Sequence, residues 1–355
     1  MHNPYIRMRA ESAPVAYPGP GTPSTSAVWV PGNKLGVDEK YKYEDLSQVI
    51  GDLPGYVSGA DPGFTLPFRA FPDDVGMFMF LWGGLISSIV GDGLNIKNPD
   101  GIAIPAGAYR HIVGGSATEP GTPPEGIGPD FLGGDKPRTA TIDWADDKVL
   151  GPWWTSYGCA VDKVKFSGGA GGLVCDASGK LLYNKPVTVD PALTPAYPAK
   201  MIPWNVGETS ITWLTGTGTA EAFDITFEQD LELKNPPTAN TSIWPSLIRR
   251  TNRRQVTGTL TTYNIDLDDY NAFVAGTTFA VTIKLISGVN VTGATPYQMW
   301  IKLPKCQYVG MKPGDLENKP SRPFTFNFKA LADPTATYRA KVILVNAQAS
   351  YNTGI

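Results

Sequence analysis

A strand-forming stretch opens the first of two similar units in this chain, and it reads Phe64-Thr65-Leu66-Pro67-Phe68-Arg69-Ala70-Phe71. It runs into Asp73-Asp74, and the apolar residues Val75 to Trp82 follow before Gly83-Gly84. An Asp ahead of an apolar run is a preferred helix start, and Gly is a preferred helix stop. The stretch therefore predicts a strand followed by a short, Asp-capped helix.

The same kind of unit occurs again far downstream. Residues Gln255 to Ile265 form a second strand-like stretch, which runs into Asp268-Asp269, then Tyr270 to Ala275, and then Gly276. A unit used twice in one chain favours building material over a catalytic centre.

The carboxylates at the two helix starts have a structural interpretation. Asp73 and Asp268 are predicted to be helix caps, because the first turn of a helix leaves N–H groups without intrahelical partners and attracts negative charge. Catalytic carboxylate pairs formed with Asp74 and Asp269 are the alternative. No Ser or Cys nucleophile with a partnered base is discernible, so we predict no catalytic residue and no enzyme.

Composition favours a β-rich protein. The chain has 355 residues, enough for two or three domains, with 39 Gly, 32 Pro and only 18% charged residues. That profile is typical of many short strands joined by turns. The formal net charge of −3 argues against a protein that grips nucleic acid by neutralising phosphates.

Few residues are suited to metals or disulfides. The three cysteines, Cys159, Cys175 and Cys306, are odd in number and none lies in a C-x-x-C spacing. The only histidines are His2 and His111. We therefore predict no metal and no cofactor.

One apolar segment is the only candidate for a membrane span. Val75 to Val90 is shorter than the roughly 20 residues that a spanning helix needs, and Gly83-Gly84 and Ser87-Ser88 interrupt it. A buried helix with a following segment is favoured, and no membrane insertion is predicted.

Three segments are predicted along the chain. Residues 1–60 form an extended N-terminal arm with loops, because Ala13 to Ser26 is rich in Pro, Gly, Ser and Thr. Residues 61–205 form a first β domain with a long loop insert at 91–134. Residues 206–355 form a second β domain, whose strands are better defined.

An acidic row stands out in the second half. If Phe223 to Leu233 is one strand, its two-residue period places Asp224, Glu228, Asp230 and Glu232 on one face. A solvated outer face is one interpretation. The other is a negatively charged surface that repels phosphate and lets DNA slide past.

Four arginines precede the next strand: Arg249, Arg250, Arg253 and Arg254. No interleaved aromatic platform accompanies them, so a solvated loop or salt bridges across a subunit or ring interface are favoured over nucleic-acid contact. Trp153-Trp154, with Tyr157, would suit a sugar-stacking platform, although core or interface packing is favoured there as well.

The second half resembles the tail tube proteins, or major tail proteins, of long-tailed, non-contractile bacteriophages. The resemblance is carried by Phe223 to Leu233, Arg254 to Thr261, Asp268-Asp269 with the helix, Ile301-Lys302-Leu303-Pro304, and Pro323 to Ala332, closing on Ile343 to Asn346. The first half is similar through Phe71 to Gly76 and Tyr157 to Val164.

The resemblance implies a mainly β fold with two tandem tail-tube-like β-sandwich or barrel domains, each with a short flanking α-helix, plus the extended arm. It implies a structural virion protein that polymerises into stacked rings around a DNA channel, with three chains per ring imitating six. Asp224, Glu228, Asp230 and Glu232 would then face the channel.

The resemblance also implies partners and a location. The partners would be other copies of the chain, the tape measure protein, tail-end proteins and double-stranded DNA in passage. The protein would be assembled in the host cytoplasm and lie in the virion tail. The alternative functions are a phage or cell-surface carbohydrate-binding adhesin and, less plausibly, a glycosidase.

Overall fold

The structure is a computed structural model, and it is mainly β, as the sequence predicts. It describes residues 5–11, 23–29, 35–44, 56–69, 72–83, 86–113, 137–145, 153–169, 172–187, 210–214, 220–234, 244–252, 254–263, 267–313, 323–333 and 338–351. Within these ranges the strands are antiparallel and the helices number two.

The elements of the first half are, in chain order, β1 (Tyr5–Glu11), β2 (Pro23–Trp29), β3 (Gly36–Asp38), β4 (Tyr41–Glu44), β5 (Tyr56–Ala60), β6 (Gly63–Arg69), α1 (Val75–Gly83), β7 (Ile86–Val90), β8 (Tyr109–Val113), β9 (Ala140–Ala145), β10 (Trp153–Gly169), β11 (Gly172–Lys180) and β12 (Tyr183–Val187).

The elements of the second half are β13 (Ser210–Thr212), β14 (Ala220–Glu228), β15 (Leu231–Lys234), β16 (Leu247–Arg250), β17 (Gln255–Thr262), α2 (Leu267–Ala275), β18 (Thr278–Thr292), β19 (Thr295–Pro313), β20 (Phe324–Ala330) and β21 (Lys341–Asn346). Both predicted strand–helix units are therefore present, as β6–α1 and β17–α2.

Alternating side chains explain the strands. In β20, Phe326 and Phe328 are fully buried, whereas Asn327 between them is exposed. A strand that packs one face on a core needs this two-residue period. Strand β20 is therefore half-buried.

The two helices differ in burial. Every residue of α1 is buried, which fits a helix that is apolar on all sides. Helix α2 buries Ala272 but leaves Tyr270 and Val274 exposed, at 51% and 66% of their full accessible areas. The second helix therefore presents an apolar face to solvent.

Both halves use the same strand pairings in the same chain order. In the first half, β3 pairs with β6, β6 with β11, β11 with β10, and β10 also with β9 and β12. In the second half, β14 pairs with β17, β17 with β20, β20 with β19, and β19 also with β18 and β21. The match extends to two further pairings, β1–β9 in the first half and β13–β18 in the second. It also extends to one separate two-stranded ribbon in each half, β4–β5 and β15–β16.

A β-bulge recurs at the same place in both halves. The register of β10 against β11 shifts between Val161 and Lys163, so Asp162 is the extra residue. The register of β19 against β20 shifts between Tyr308 and Gly310, so Val309 is the extra residue. Because a bulge bends its strand at one defined residue, Asp162 and Val309 mark equivalent positions.

The two halves also pair with each other. Strand β14 lies against β10, and β21 lies against β8, which with β7 forms a hairpin without a counterpart among the described strands of the second half. One hydrophobic core contains residues of both halves, among them Phe166 and Phe227.

The division into residues 1–60, 61–205 and 206–355 stays a prediction. Strands β1 to β5 all lie within the segment predicted as an arm. Strand β1 pairs with β9 and buries Ile6, Met8 and Ala10, so residues 5–11 belong to the folded core.

We expect Gly258→Ala to destabilise the fold because a Cβ at this position would lie 2.2 Å from Cζ of Phe328. Overpacking of this kind costs about 1–3 kcal/mol of unfolding free energy. Urea unfolding of the purified chain would measure the loss.

Gly310→Ala is the matched control. It is also a strand glycine facing β20, but its nearest neighbour would be Nδ2 of Asn327 at 3.3 Å. Equal losses in both variants would contradict the steric explanation.

Candidate functional site

One face of the sheet is polar over several neighbouring strands. In β14, Ile225 and Phe227 point into the core, so Asp224, Thr226 and Glu228 lie on the opposite face. That face is a candidate functional surface because it contains Asp224 and Glu228, two of the four carboxylates that the sequence singled out.

Threonines continue this polar face across β17 and β20. Thr259 donates a hydrogen bond to Asn327 at 3.1 Å, and the hydroxyls of Thr261 and Thr325 are 3.4 Å apart. Each pair joins adjacent strands. The result is a broad surface of mostly short, uncharged polar side chains, with Lys329 of β20 opposite Thr257.

The acidic residues on this face have basic neighbours on β10. Lys165 Nζ lies 3.4 Å from Asp224 Oδ2, and Lys163 is the cross-strand partner of Glu228. The surface therefore carries both signs of charge. It differs in this respect from the purely acidic row that the strand alternation predicts.

The predicted strand Phe223 to Leu233 is wrong in one respect, because it breaks at Gln229. The Gln229 side chain turns inward and donates to the carbonyl of Val161 at 2.5 Å, and its backbone N–H donates to the carbonyl of Asp162 at 2.8 Å. Asp224 and Glu228 thus lie on β14. Asp230 follows the break, and Glu232 lies on the ribbon β15–β16.

Asp162, which strand alternation does not single out, organises this break. Its carboxylate accepts the backbone N–H of Leu231 at 3.2 Å. The pKa of Asp162 is raised to about 6, chiefly by burial; the charges of Glu228 and Asp230 also raise it, and the bond from Leu231 acts in the opposite direction. The bulge in β10 is what aims this side chain, and a bulge has no simple sequence pattern.

The arginine cluster is dispersed. Arg249 is exposed on β16, directly across from Glu232, so the ribbon itself supplies an opposite charge. Arg254 is 95% buried, with its guanidinium 5.4 Å from the centre of the Trp82 ring, and burial lowers its pKa to about 10. Arg250 is half-buried on β16, and Arg253 lies outside the described residues. A role for the four at an interface stays a prediction.

The carboxylates at the helix starts have several partners. The Asp73 carboxylate accepts the backbone N–H of Ala347 at 3.2 Å, and Asp269 accepts the hydroxyl of Tyr308 at 2.8 Å. Asp74 is 99% buried, and burial, followed by the charge of Asp73, raises its pKa well above the usual range. Asp268 is exposed in the first turn of α2. Capping by Asp73 and Asp268 stays a prediction.

The chain beyond β21 returns to the start of α1. Tyr351 is fully buried and donates its hydroxyl hydrogen to the carbonyl of Asp73 at 2.8 Å. A Cβ at Gly76 would lie 2.1 Å from the Tyr351 ring, so only glycine leaves room for this contact. Asn346 donates to Tyr351 and also contacts Nε2 of His111 at 2.9 Å.

Two of the three aromatic residues that suited a sugar platform, Trp154 and Tyr157, pack on other rings. Trp154 stacks on Trp144 with the ring centres 5.7 Å apart, and Tyr157 stacks on Tyr183 at 4.7 Å. Ring faces used in this way favour packing over ligand binding.

The part of the chain that the structure describes contains no group of three or more His, Cys, Asp or Glu side chains placed to hold a metal ion. Cys159, Cys175 and Cys306 are free and buried. Among the described helices, neither has the length and apolar character that crossing a membrane would require.

A large antiparallel architecture with a repeated set of pairings and a broad polar face defines a mainly β protein. The chain belongs to the phage tail tube protein family, whose family model matches residues 44–330, more than half of the sequence. No curated protein matches the chain. The protein is therefore a structural protein of the bacteriophage virion, and its family implies a location in the tail.

We expect His111 to make stability depend on pH. Burial lowers its pKa to about 4, from an ordinary value near 6.5. A folded-state pKa below the unfolded value means that the contribution is complete above pH 6.5 and is lost as the pH falls through 4. Wild-type protein should lose about 2–3 kcal/mol more than His111→Gln between pH 7 and pH 4.

Urea unfolding of both proteins at several pH values measures this difference. Buried carboxyls such as Asp74 contribute with the opposite sign, but they are present in both proteins and cancel in the comparison. Parallel stability curves for the two proteins would contradict the assignment.

Proposed function

We propose that this protein polymerises into stacked rings that form the tube of a phage tail, and that the polar sheet face lines the channel for DNA. The observation that carries the proposal is the family match over residues 44–330, together with the continuous polar face on β14, β17 and β20. The opposite face of the same strands is core, so only this face is available to a channel.

The chemistry of the face suits passage of DNA. Most side chains of this face are short and uncharged, Lys329 of β20 is a cation among them, and the lysines of β10 lie against carboxylates. Affinity for the DNA backbone comes mainly from unopposed cations. We infer that Asp224, Glu228, Asp230 and Glu232 face the channel, where they offset the lysines and keep DNA from adhering.

The recurring strand pairings support a ring of three chains. If each half is one tube-like domain, three chains supply six such domains in a ring with pseudo-sixfold symmetry. The pairing of β10 with β14 joins the halves edge to edge within one chain. A ring in which each sheet edge pairs with the edge of the next domain leaves no strand edge unpaired.

The remaining partners follow from this role. The tape measure protein would occupy the channel before DNA does, and tail-end proteins would cap the stack. Assembly would take place in the host cytoplasm, and double-stranded DNA would pass without lasting contact.

We expect purified protein, or tails isolated from virions, to give hollow tubes by electron microscopy. A three-dimensional map should show three chains per ring, with Asp224 and Glu228 facing the bore. Six chains per ring would contradict the pseudo-sixfold arrangement, and carboxylates on the outer surface would contradict the channel assignment. Soluble particles that bind glycans and form no tube would favour an adhesin.

A further inference from the structure

The second half has an open surface at the place where the first half is covered. At the end of β19, Val309 is 60% exposed and Lys312 is exposed. Tyr270 and Val274 of α2 are exposed as well, and the start of α2 lies against β19, where Asp269 accepts the hydroxyl of Tyr308. We call these residues the open junction.

The covered version of this surface lies between the two halves. Beyond its bulge, β10 pairs on one side with β11 and on the other side with β14. The described part of β19 pairs with β20 beyond its own bulge, but no strand there takes the place of β14. Unpaired N–H and C=O groups at a strand edge are a ready template for another strand.

Helix α1 shows the same contrast with α2. The ring of Trp82 contacts Phe227 of β14 edge to face, with 5.2 Å between the ring centres, and Gly76 lies against Tyr351. The second half therefore seals α1. No equivalent cover lies over Tyr270 and Val274 among the described residues.

The bulges fix which residues correspond. Counting from Asp162 and Val309, Lys165 of β10 corresponds to Lys312 of β19. The same register makes Leu66 of β6 equivalent to Leu260 of β17. Leu66 pairs with Ala177, and Leu260 pairs with Phe326. Ala177 and Phe326 in turn lie opposite equivalent residues of β10 and β19.

Strand β3 then corresponds to β14. Two residues before Leu66, Phe64 pairs with Val37, and two residues before Leu260, Gly258 pairs with Ile225. Val37 is thus equivalent to Ile225. It follows that Asp38 is equivalent to Thr226, the residue that lies opposite Lys165.

We propose that the open junction of one copy binds β3 of a second copy as an antiparallel strand, with Lys312 opposite Asp38 and with Tyr270 and Val274 covered by the first half of that copy. The proposal rests on the proposed tube function and specifies its contact between chains. Opposite charges favour this register, since the Asp38 side chain is 65% exposed. Its contacts among the described residues are both with Lys40, whose backbone N–H it accepts at 3.2 Å and whose Nζ lies 3.7 Å away.

Cysteine cross-linking tests the register. Directly opposed residues of antiparallel strands have Cα atoms about 4.5–5.5 Å apart, which a disulfide can bridge. Asp38→Cys combined with Lys312→Cys should give covalent trimers on mild oxidation of assembled tubes, and no larger species if rings of three close. The native cysteines are buried and give little background.

The matched control combines Asp38→Cys with Lys329→Cys, which lies one strand further from the edge. It should not cross-link. If the wild-type protein forms tubes but the Asp38→Cys/Lys312→Cys variant does not cross-link, the proposed pairing of β3 with β19 is wrong and the tube function is unaffected. Failure of the wild-type protein to form tubes would count against both.

If the cysteine variant does not assemble, charge exchange tests whether Lys312 lies opposite Asp38 of a second copy. Lys312→Asp and Asp38→Lys should each reduce tube formation, measured by sedimentation, and the double exchange should restore it. Two impaired single variants without rescue in the double variant would overturn the pairing.

The variant Val274→Lys tests whether the exposed face of α2 is covered by a second copy. We expect a folded monomer, because the side chain is exposed, and a loss of tubes of about tenfold or more, because a lysine would be buried without a partner. Leu94→Lys, at a position 74% exposed, is the control and should assemble. Normal tubes from Val274→Lys would overturn the role of α2.

Discussion

The architecture depends on how strand edges are satisfied. A β-strand presents backbone N–H and C=O groups on both sides, and any buried edge must find partners for them. Within the chain, β14 supplies those partners to β10, and this pairing joins the two halves into one sheet. The shared core, including Phe166 against Phe227, forms behind that sheet.

The sequence predicted much of this fold. The strand–Asp–helix units were sufficient to predict a strand and a helix in each half, because an Asp start, an apolar run and a Gly stop form a recognisable pattern. The family resemblance was confirmed by the match over residues 44–330. Strand β1 was overlooked, since its pattern is short and its partner β9 lies more than a hundred residues away.

The candidate surface was predicted less completely. Strand alternation identified Asp224 and Glu228, but it extended one strand through Gln229, whose side chain bonds to a carbonyl 68 residues distant in the chain. The lysines of β10 that lie against those carboxylates depend on cross-strand register. Register is a property of the assembled sheet, and a single strand's sequence does not contain it.

The contact between Tyr351 and the start of α1 has a consequence for the timing of folding. The two groups that meet, the Tyr351 hydroxyl and the Asp73 carbonyl, are 278 residues apart in sequence. A ribosome adds roughly 5–20 residues per second, so α1 waits many seconds for the residue that seals it. The contact that covers the start of α1 therefore forms only after residue 351 has been synthesised.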